Sequence, residues 1–152
     1  MANDSRAKET AVSTGLLLIR LFLGLGIMAH GLQKFLVFGM TGFAAGLAKM
    51  GVPAASLLAP VSAGTEALGG ALIALGLGTR LAALPLAFNM FVAVITAHRG
   101  SYFLPQGMEY ALNLGVVFLA LALTGPGRFS LDRLMFNRSN NQGETHAGTQ
   151  AH

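Results

Sequence analysis

Apolar residues arrive in long uninterrupted blocks along this chain, without the narrow apolar stripe of a surface helix or the alternation of a half-buried strand. Four blocks stand out, at 11–29, 57–77, 81–98 and 108–124. Each approaches the roughly 20 residues that a helix needs to cross a hydrocarbon core of about 30 Å. Inside lipid every backbone N–H and C=O must be satisfied within its own segment, so such blocks form helices. The punctuation agrees. Gly76-Leu-Gly-Thr-Arg80 turns the chain between the second and third blocks, and Gly125-Pro126-Gly127 stops the fourth. Between the first two blocks, residues 35–53 are apolar but broken by glycine, and their longest helical piece, 41–50, is too short to span. It predicts an interfacial or re-entrant helix ended by Pro53.

The fold class that follows is an all-α membrane protein. Four transmembrane helices form an antiparallel bundle, with the short interfacial or re-entrant helix between the first and the second. Residues 1–10 form a polar N-terminal segment, 11–136 a single transmembrane domain, and 137–152 a disordered polar tail. Composition supports this: 53% of the 152 residues are hydrophobic and 11% charged, against about 25% charged in soluble domains. Arg6 and Lys8 before an apolar stretch resemble a secretory signal, but Arg20 interrupts the apolar run and no cleavage site follows, so the block is kept as a membrane helix.

The net charge of +4 changes the picture little. Its basic residues flank apolar blocks and form no stripe, which points to a lipid bilayer as partner and not to nucleic acid. Arg6, Lys8, Arg80, Arg128, Arg133 and Arg138 fall on the side of both termini, and Lys34, Lys49 and Arg99 on the other. The positive-inside rule then predicts a multi-pass protein with both termini inside. The absence of cysteine removes disulfides, thiol exchange, iron–sulfur clusters and cysteine zinc sites.

Two charges sit inside apolar blocks, Arg20 and Glu66. A charge at that depth costs roughly 2.5–3.5 kcal/mol on insertion scales and is normally paired. Counted from the predicted helix ends at Ala29 and Leu57, the two lie at one depth, about 13 Å below the surface. A buried ion pair between them is expected. Ser62, Glu66, Gly69, Gly70 and Ile73 share a helical face, where small residues let a neighbour approach. A structural pair that fixes helix register is favoured over a proton or substrate relay.

A second polar group gathers toward the opposite surface from the termini. His30, Gln33 and Lys34 are spaced i, i+3, i+4; His98 and Arg99 close the third block; Glu109 opens the fourth, with Asn113 one turn deeper and Tyr102 and Tyr110 nearby. Any one of these residues reads as an interfacial helix end. Together they predict a pocket for a quinone head group or a small polar molecule. Asn89, on one face with Ala93 and Thr96, suits an interhelical hydrogen bond. His30 and His98 could face each other across the bundle, but neither lies deep in its helix, which argues against haem. No dinucleotide fingerprint, P-loop, HExxH or GxSxG is present, and six carboxylates are too few and too scattered for a dinuclear metal site. No metal site is expected.

The ordered set of Arg20, HGLQK at 30–34, TEALGGALIALGLGTR at 65–80, His98, MEYALNL at 108–114 and TGPGRFSLD at 124–132 resembles the DoxX family, over roughly residues 12–134. The resemblance implies a small bacterial inner (plasma) membrane protein of four helices, described as an oxidoreductase or as oxidoreductase-associated. Relatives include subunits of thiosulfate:quinone or quinol-linked systems, partners of superoxide- and thiol-handling enzymes, and proteins linked to quinone or catechol stress; a more distant group includes membrane chaperones. The motif positions carried over are Arg20, His30, Gln33, Lys34, Glu66, Arg80, His98, Glu109 and Tyr110. Thiol-active members need cysteines that this chain lacks.

The expectation is a subunit or anchor that links a redox partner to the quinone pool. His30 and Glu109 are the proton-handling catalytic candidates, and Gln33 and Lys34 donate to a quinone carbonyl beside His98, Tyr110 and Asn113. No cofactor beyond quinone is indicated. Two alternatives stay open: a non-enzymatic assembly factor or chaperone, and a small-solute or proton transporter. A homo-oligomer or a redox-protein complex suits the many small residues.

Overall fold

Helix α1 runs without interruption from Ala2 to Gln33 in the computed structural model, which describes residues 2–98, 100, 102–103 and 107–135. It begins nine residues earlier than the apolar pattern suggests and ends four later. The polar start is helical because Lys8 pairs with Asp4 at 2.8 Å across one turn, and the Thr10 and Thr14 hydroxyls donate to the carbonyls one turn back. Polarity marked where the bilayer ends, and the helix does not stop there. The assigned tail at 137–152 lies outside the described residues.

A wider π-helical turn, Lys34–Phe38, leads from α1 into α2, Met40–Lys49. Then come α3, Ala55–Leu75, α4, Thr79–Thr96, and α5, Glu109–Thr124. There is no strand among the described residues. Helices α1, α3 and α4 are long and apolar enough to cross a bilayer, and α5 is a shorter apolar helix. The molecule is an all-helical membrane bundle of two main pairs, α1 on α3 and α4 on α5, joined where α3 meets α4; α2 packs on α3.

The buried core joins α3, α4 and α5 through Ile73, Ala83, Leu86, Phe118 and Leu121. Large apolar side chains also cover the outside, Phe22, Leu68, Leu81 and Leu123 among them. Water would oppose such a surface; lipid accepts it.

Glycine sets the closest approach. A Cβ at Gly24 would lie 2.6 Å from the Ala74 nitrogen and 2.7 Å from the Gly70 carbonyl oxygen, and one at Gly31 would run into the Ala67 backbone. These contacts fix the antiparallel register of α1 on α3: Gly24 lies level with about residue 72, and Gly31 with about residue 65. Arg20 is therefore level with Gly76, and Glu66 with His30. That overturns the Arg20–Glu66 pair. The two charges stand about 15 Å apart along the axis, because the end of α1 and the start of α3, from which depth was counted, are not level: in the register set by the glycines, Ala55 lies level with about residue 41.

Arg20, 1% exposed, instead donates through Nη2 to the Phe129 carbonyl. Phe129 belongs to a strap after α5 that folds back beneath the α3–α4 turn. Gly76 (φ +68°) and Gly78 (φ +56°) make that turn, with Leu77 N–H donating to the Leu72 carbonyl and Gly76 N–H to that of Ile73. The strap is tied on by Asp132, whose N–H donates to the Gly76 carbonyl at 3.1 Å and whose Oδ1 accepts from the Gly78 N–H at 2.9 Å. Arg128 N–H also donates to Ser13 Oγ of α1 at 3.4 Å.

Candidate functional site

Glu66 occupies the middle of α3 and is 3% exposed. Burying a carboxylate costs several kcal/mol unless every oxygen is served, and three helices supply what it needs. From α4, Asn89 Nδ2 donates to Glu66 Oε1 at 2.8 Å. The orientation of that amide is set by Ser62 Oγ, which donates to Asn89 Oδ1 at 3.0 Å. At the end of α1, Lys34 Nζ stands 2.5 Å from Glu66 Oε2. The approach satisfies charge but not hydrogen-bond direction, so Oε2 keeps an unused lone pair. The ammonium also lies 4.8 Å from the centre of the Phe43 ring of α2, a cation–π contact that ties the short helix to the charge.

Register explains why lysine and not arginine answers Glu66. Lys34 starts the π turn, about one helical turn nearer the end of the bundle than the level of Glu66. Its long side chain runs down the helix to bring the ammonium inward. The Gly31 contact with α3 makes this reach short enough.

These groups form the polar wall of a cavity of about 310 Å³ between α1, α2, α3, α4 and the start of α5. Lys34, Glu66, Asn89 and Ser62 form one linked group, His30, His98, Tyr110 and Thr96 add further polar groups, and Ile27, Phe43, Leu47, Met50, Met90 and Ala93 make the apolar lining. The His30 and Tyr110 rings are 6.1 Å apart and tilted by 46°. A mostly apolar pocket of this size with a few convergent polar groups is the usual form of a small-molecule site. The arrangement can grip a flat molecule by its edge, with an ammonium as donor, a carboxylate as acceptor and rings against its faces.

The cavity thus brings together His30, Lys34, His98, Tyr110 and Glu66 of the candidates read from sequence. It does not include Gln33, Glu109, Asn113 or Arg20. Helix geometry is the reason: each residue turns the helix by about 100°, so Gln33 faces away when Lys34 faces in, and Glu109 when Tyr110 does. Gln33 and Asn113 are exposed, while Glu109 donates its backbone N–H to the Tyr102 carbonyl at 3.0 Å. Arg20 lies at the other end of the bundle. Arg99 falls outside the described residues. Ser62, Asn89 and Phe43 were missed as site residues. The Ser62–Glu66 spacing on one face of α3 was a usable signal for the first; the aromatic over Lys34 had none.

Among the described residues no group of three His, Asp or Glu could hold a metal ion. Comparison with known proteins supplies the family. The DoxX family model matches residues 15–99, which take in most of α1 and all of α2, α3 and α4. A Bacillus subtilis protein named "Putative oxidoreductase CatD" is 34% identical over 127 residues, covering 84% of this chain and 91% of its own. The "Uncharacterized membrane protein Rv3486" of Mycobacterium tuberculosis is 33% identical over 135 residues, covering 80% and 81%. The "Inner membrane protein YphA" of Escherichia coli is 34% identical over 125 residues, covering 78% and 88%. No solved structure matches the chain. With the family model matched over more than half its length and these relatives covered nearly end to end, the chain belongs to the DoxX family.

Proposed function

We propose that this is a bacterial inner-membrane subunit of an oxidoreductase system, and that its cavity binds the head group of a quinone or quinol. The observation that carries the reading is the Lys34–Glu66 pair, held by Asn89 at the polar wall of an otherwise apolar cavity of about 310 Å³. A quinone needs a donor at its carbonyl and a route for protons, with apolar surroundings for the ring. Lys34 is the donor. Glu66 and His30 are the groups that exchange protons as the ring goes from quinone to quinol, a change that takes up two electrons and two protons. The electrons come from a redox-protein partner. The name carried by the Bacillus subtilis relative points to the same class of chemistry. Both termini lie inside, by the distribution of basic residues.

The test is equilibrium binding of a short-chain benzoquinone to the purified chain in mild detergent. The double variant K34M/E66Q removes both charges while leaving neither unpaired, and A93F fills the cavity. A tenfold or greater loss of affinity in each is expected. Binding that matched the wild type in both variants would remove the cavity from consideration as the quinone site.

A further inference from the structure

The seam between α4 and α5 carries a second site, at the far end of the bundle from the cavity and independent of the quinone reading. We infer that it binds an anionic phospholipid, with the head group in a recess beside the strap and an acyl chain in a groove along the seam.

The recess has a volume of about 510 Å³ and is lined by Arg80 of α4, Thr124 of α5, and Ser130, Asp132 and Arg133 of the strap. Its charge is net positive, two guanidinium groups against one carboxylate. Arg128 has Glu9 at 3.4 Å and Lys8 has Asp4 at 2.8 Å, whereas neither Arg80 nor Arg133 has a carboxylate within ion-pair distance among the described residues. Arg80 reaches only the Thr124 carbonyl, at 3.5 Å, and lies over Gly125, where a Cβ would come within 2.9 Å of its Nε. Asp132 offsets one of the two guanidinium charges and leaves the recess net positive. Its Oδ1 accepts from the Gly78 N–H, and its charge also acts on the buried Arg20. The Ser130 and Thr124 hydroxyls donate to the Gly127 and Ala120 carbonyls, so the recognition rests on the two guanidinium groups, whose forked donors match a phosphate ester.

A separate feature says which phosphate ester. Farther along the same seam lies an apolar groove of about 100 Å³, lined by Ala87, Phe91 and Val94 of α4 and by Gly115, Val116 and Leu119 of α5. Arg80, Ala87 and Val94 are spaced by seven, so the recess and the groove share one face of α4. Ala87 is about 10 Å along the axis from Arg80. Phe91 and Val116 are 59% and 58% exposed, so the groove faces outward to lipid and not into the bundle. A free phosphate would use only the recess, and an uncharged lipid only the groove. A lipid with an anionic head and a tail uses both.

The purified full-length chain in mild detergent, followed by native mass spectrometry, tests this with three probes: phosphatidylglycerol, phosphatidylcholine of the same chains, and glycerol 3-phosphate. Phosphatidylglycerol is expected to be retained about 30-fold better than phosphatidylcholine, from two basic residues at the membrane surface. R80Q/R133Q should bring the two lipids to near equality. V116W, on the outward face, should weaken both lipids and leave their ratio unchanged. Equal retention of the two lipids by the wild type would overturn the site. So would a preference that survives R80Q/R133Q, or glycerol 3-phosphate displacing the lipid at equal concentration, which would mark a free-anion site. If R80Q/R133Q does not fold, V116W decides: undiminished retention of phosphatidylglycerol in it removes the groove, and with it the lipid assignment.

Discussion

Replacing Lys34 by Met leaves Glu66 buried with its cation gone. At the 2.5 Å separation and an effective dielectric near 20, the Coulomb attraction is about 6–7 kcal/mol before desolvation of either ion is subtracted. Breaking a buried pair from one side costs about 3–5 kcal/mol. Asn89 still donates to Oε1 in the variant, so the lower end, about 3 kcal/mol, is expected. Glu66→Gln is milder, about 1–2 kcal/mol. Lys34 is 16% exposed along its side chain and can turn toward the head groups, and the amide still offers Asn89 an acceptor. The double variant K34M/E66Q should fall no more than about 1 kcal/mol below the wild type, giving a coupling energy of about 3–5 kcal/mol. Reversible denaturation by SDS in mixed micelles, followed by far-UV circular dichroism, measures all four corners of the cycle. Single-variant costs that simply add, to within about 0.5 kcal/mol, would show that the two charges do not interact. The geometry proposed for the cavity would then be wrong.

Two glycine contrasts test the packing with the same assay. Gly24→Ala puts a methyl 2.6 Å from the α3 backbone and should cost about 2–3 kcal/mol; Gly26→Ala, with nothing within 4 Å, should instead stabilise by up to about 1 kcal/mol. Gly76→Ala and Gly78→Ala each place alanine at positive φ, a penalty of about 1–2 kcal/mol. Only the first also drives a methyl into the Arg20 guanidinium and Ser130, so it should cost at least about 2 kcal/mol more. Equal costs for the pair would mean that the strap does not pack under the turn.

The helices from α3 onward were legible within a few residues. Predicted limits of 57–77, 81–98 and 108–124 stand against Ala55–Leu75, Thr79–Thr96 and Glu109–Thr124, because glycine and proline end those helices at the edge of the apolar run. The limits of α1 were not legible. Its last residues, 30–33, begin and end on polar side chains but continue the helix, and the Arg20–Glu66 pairing failed because the end of α1 and the start of α3 are not level. Gly24, Gly31 and Gly70 held the correcting information, since closest approach sets register; a sequence does not say which glycines meet. The same limit applies to the strap. Gly125-Pro126-Gly127 reads as a stop, and nothing in the residues that follow announces that Asp132 will cap the Gly78 N–H. On the candidate site, residue type was informative and facing was not. His30, Lys34, His98 and Tyr110 line the cavity, while Gln33 and Glu109, each one position away from a lining residue, turn elsewhere.

The helices differ in length from one side of the molecule to the other. At 1.5 Å per residue, α1 past its polar start, residues 11–33, and the 21 residues of α3 reach about 35 and 32 Å, while the 18 of α4 and 16 of α5 reach about 27 and 24 Å. One flank matches or exceeds a hydrocarbon layer of about 30 Å, and the other falls short by a few ångströms. Lipids along the short flank must compress, at a fraction of a kcal/mol per ångström. The expected consequence is an elastic wedge that dimples its bilayer on one side. Two dimples that merge deform less membrane than two kept apart. Copies are therefore expected to draw together through their short flanks without any contact between side chains, and more strongly as the acyl chains lengthen. Energy transfer between labelled copies should rise with lipid chain length; transfer that stayed flat across the series would show that the bilayer does not register the difference between the flanks.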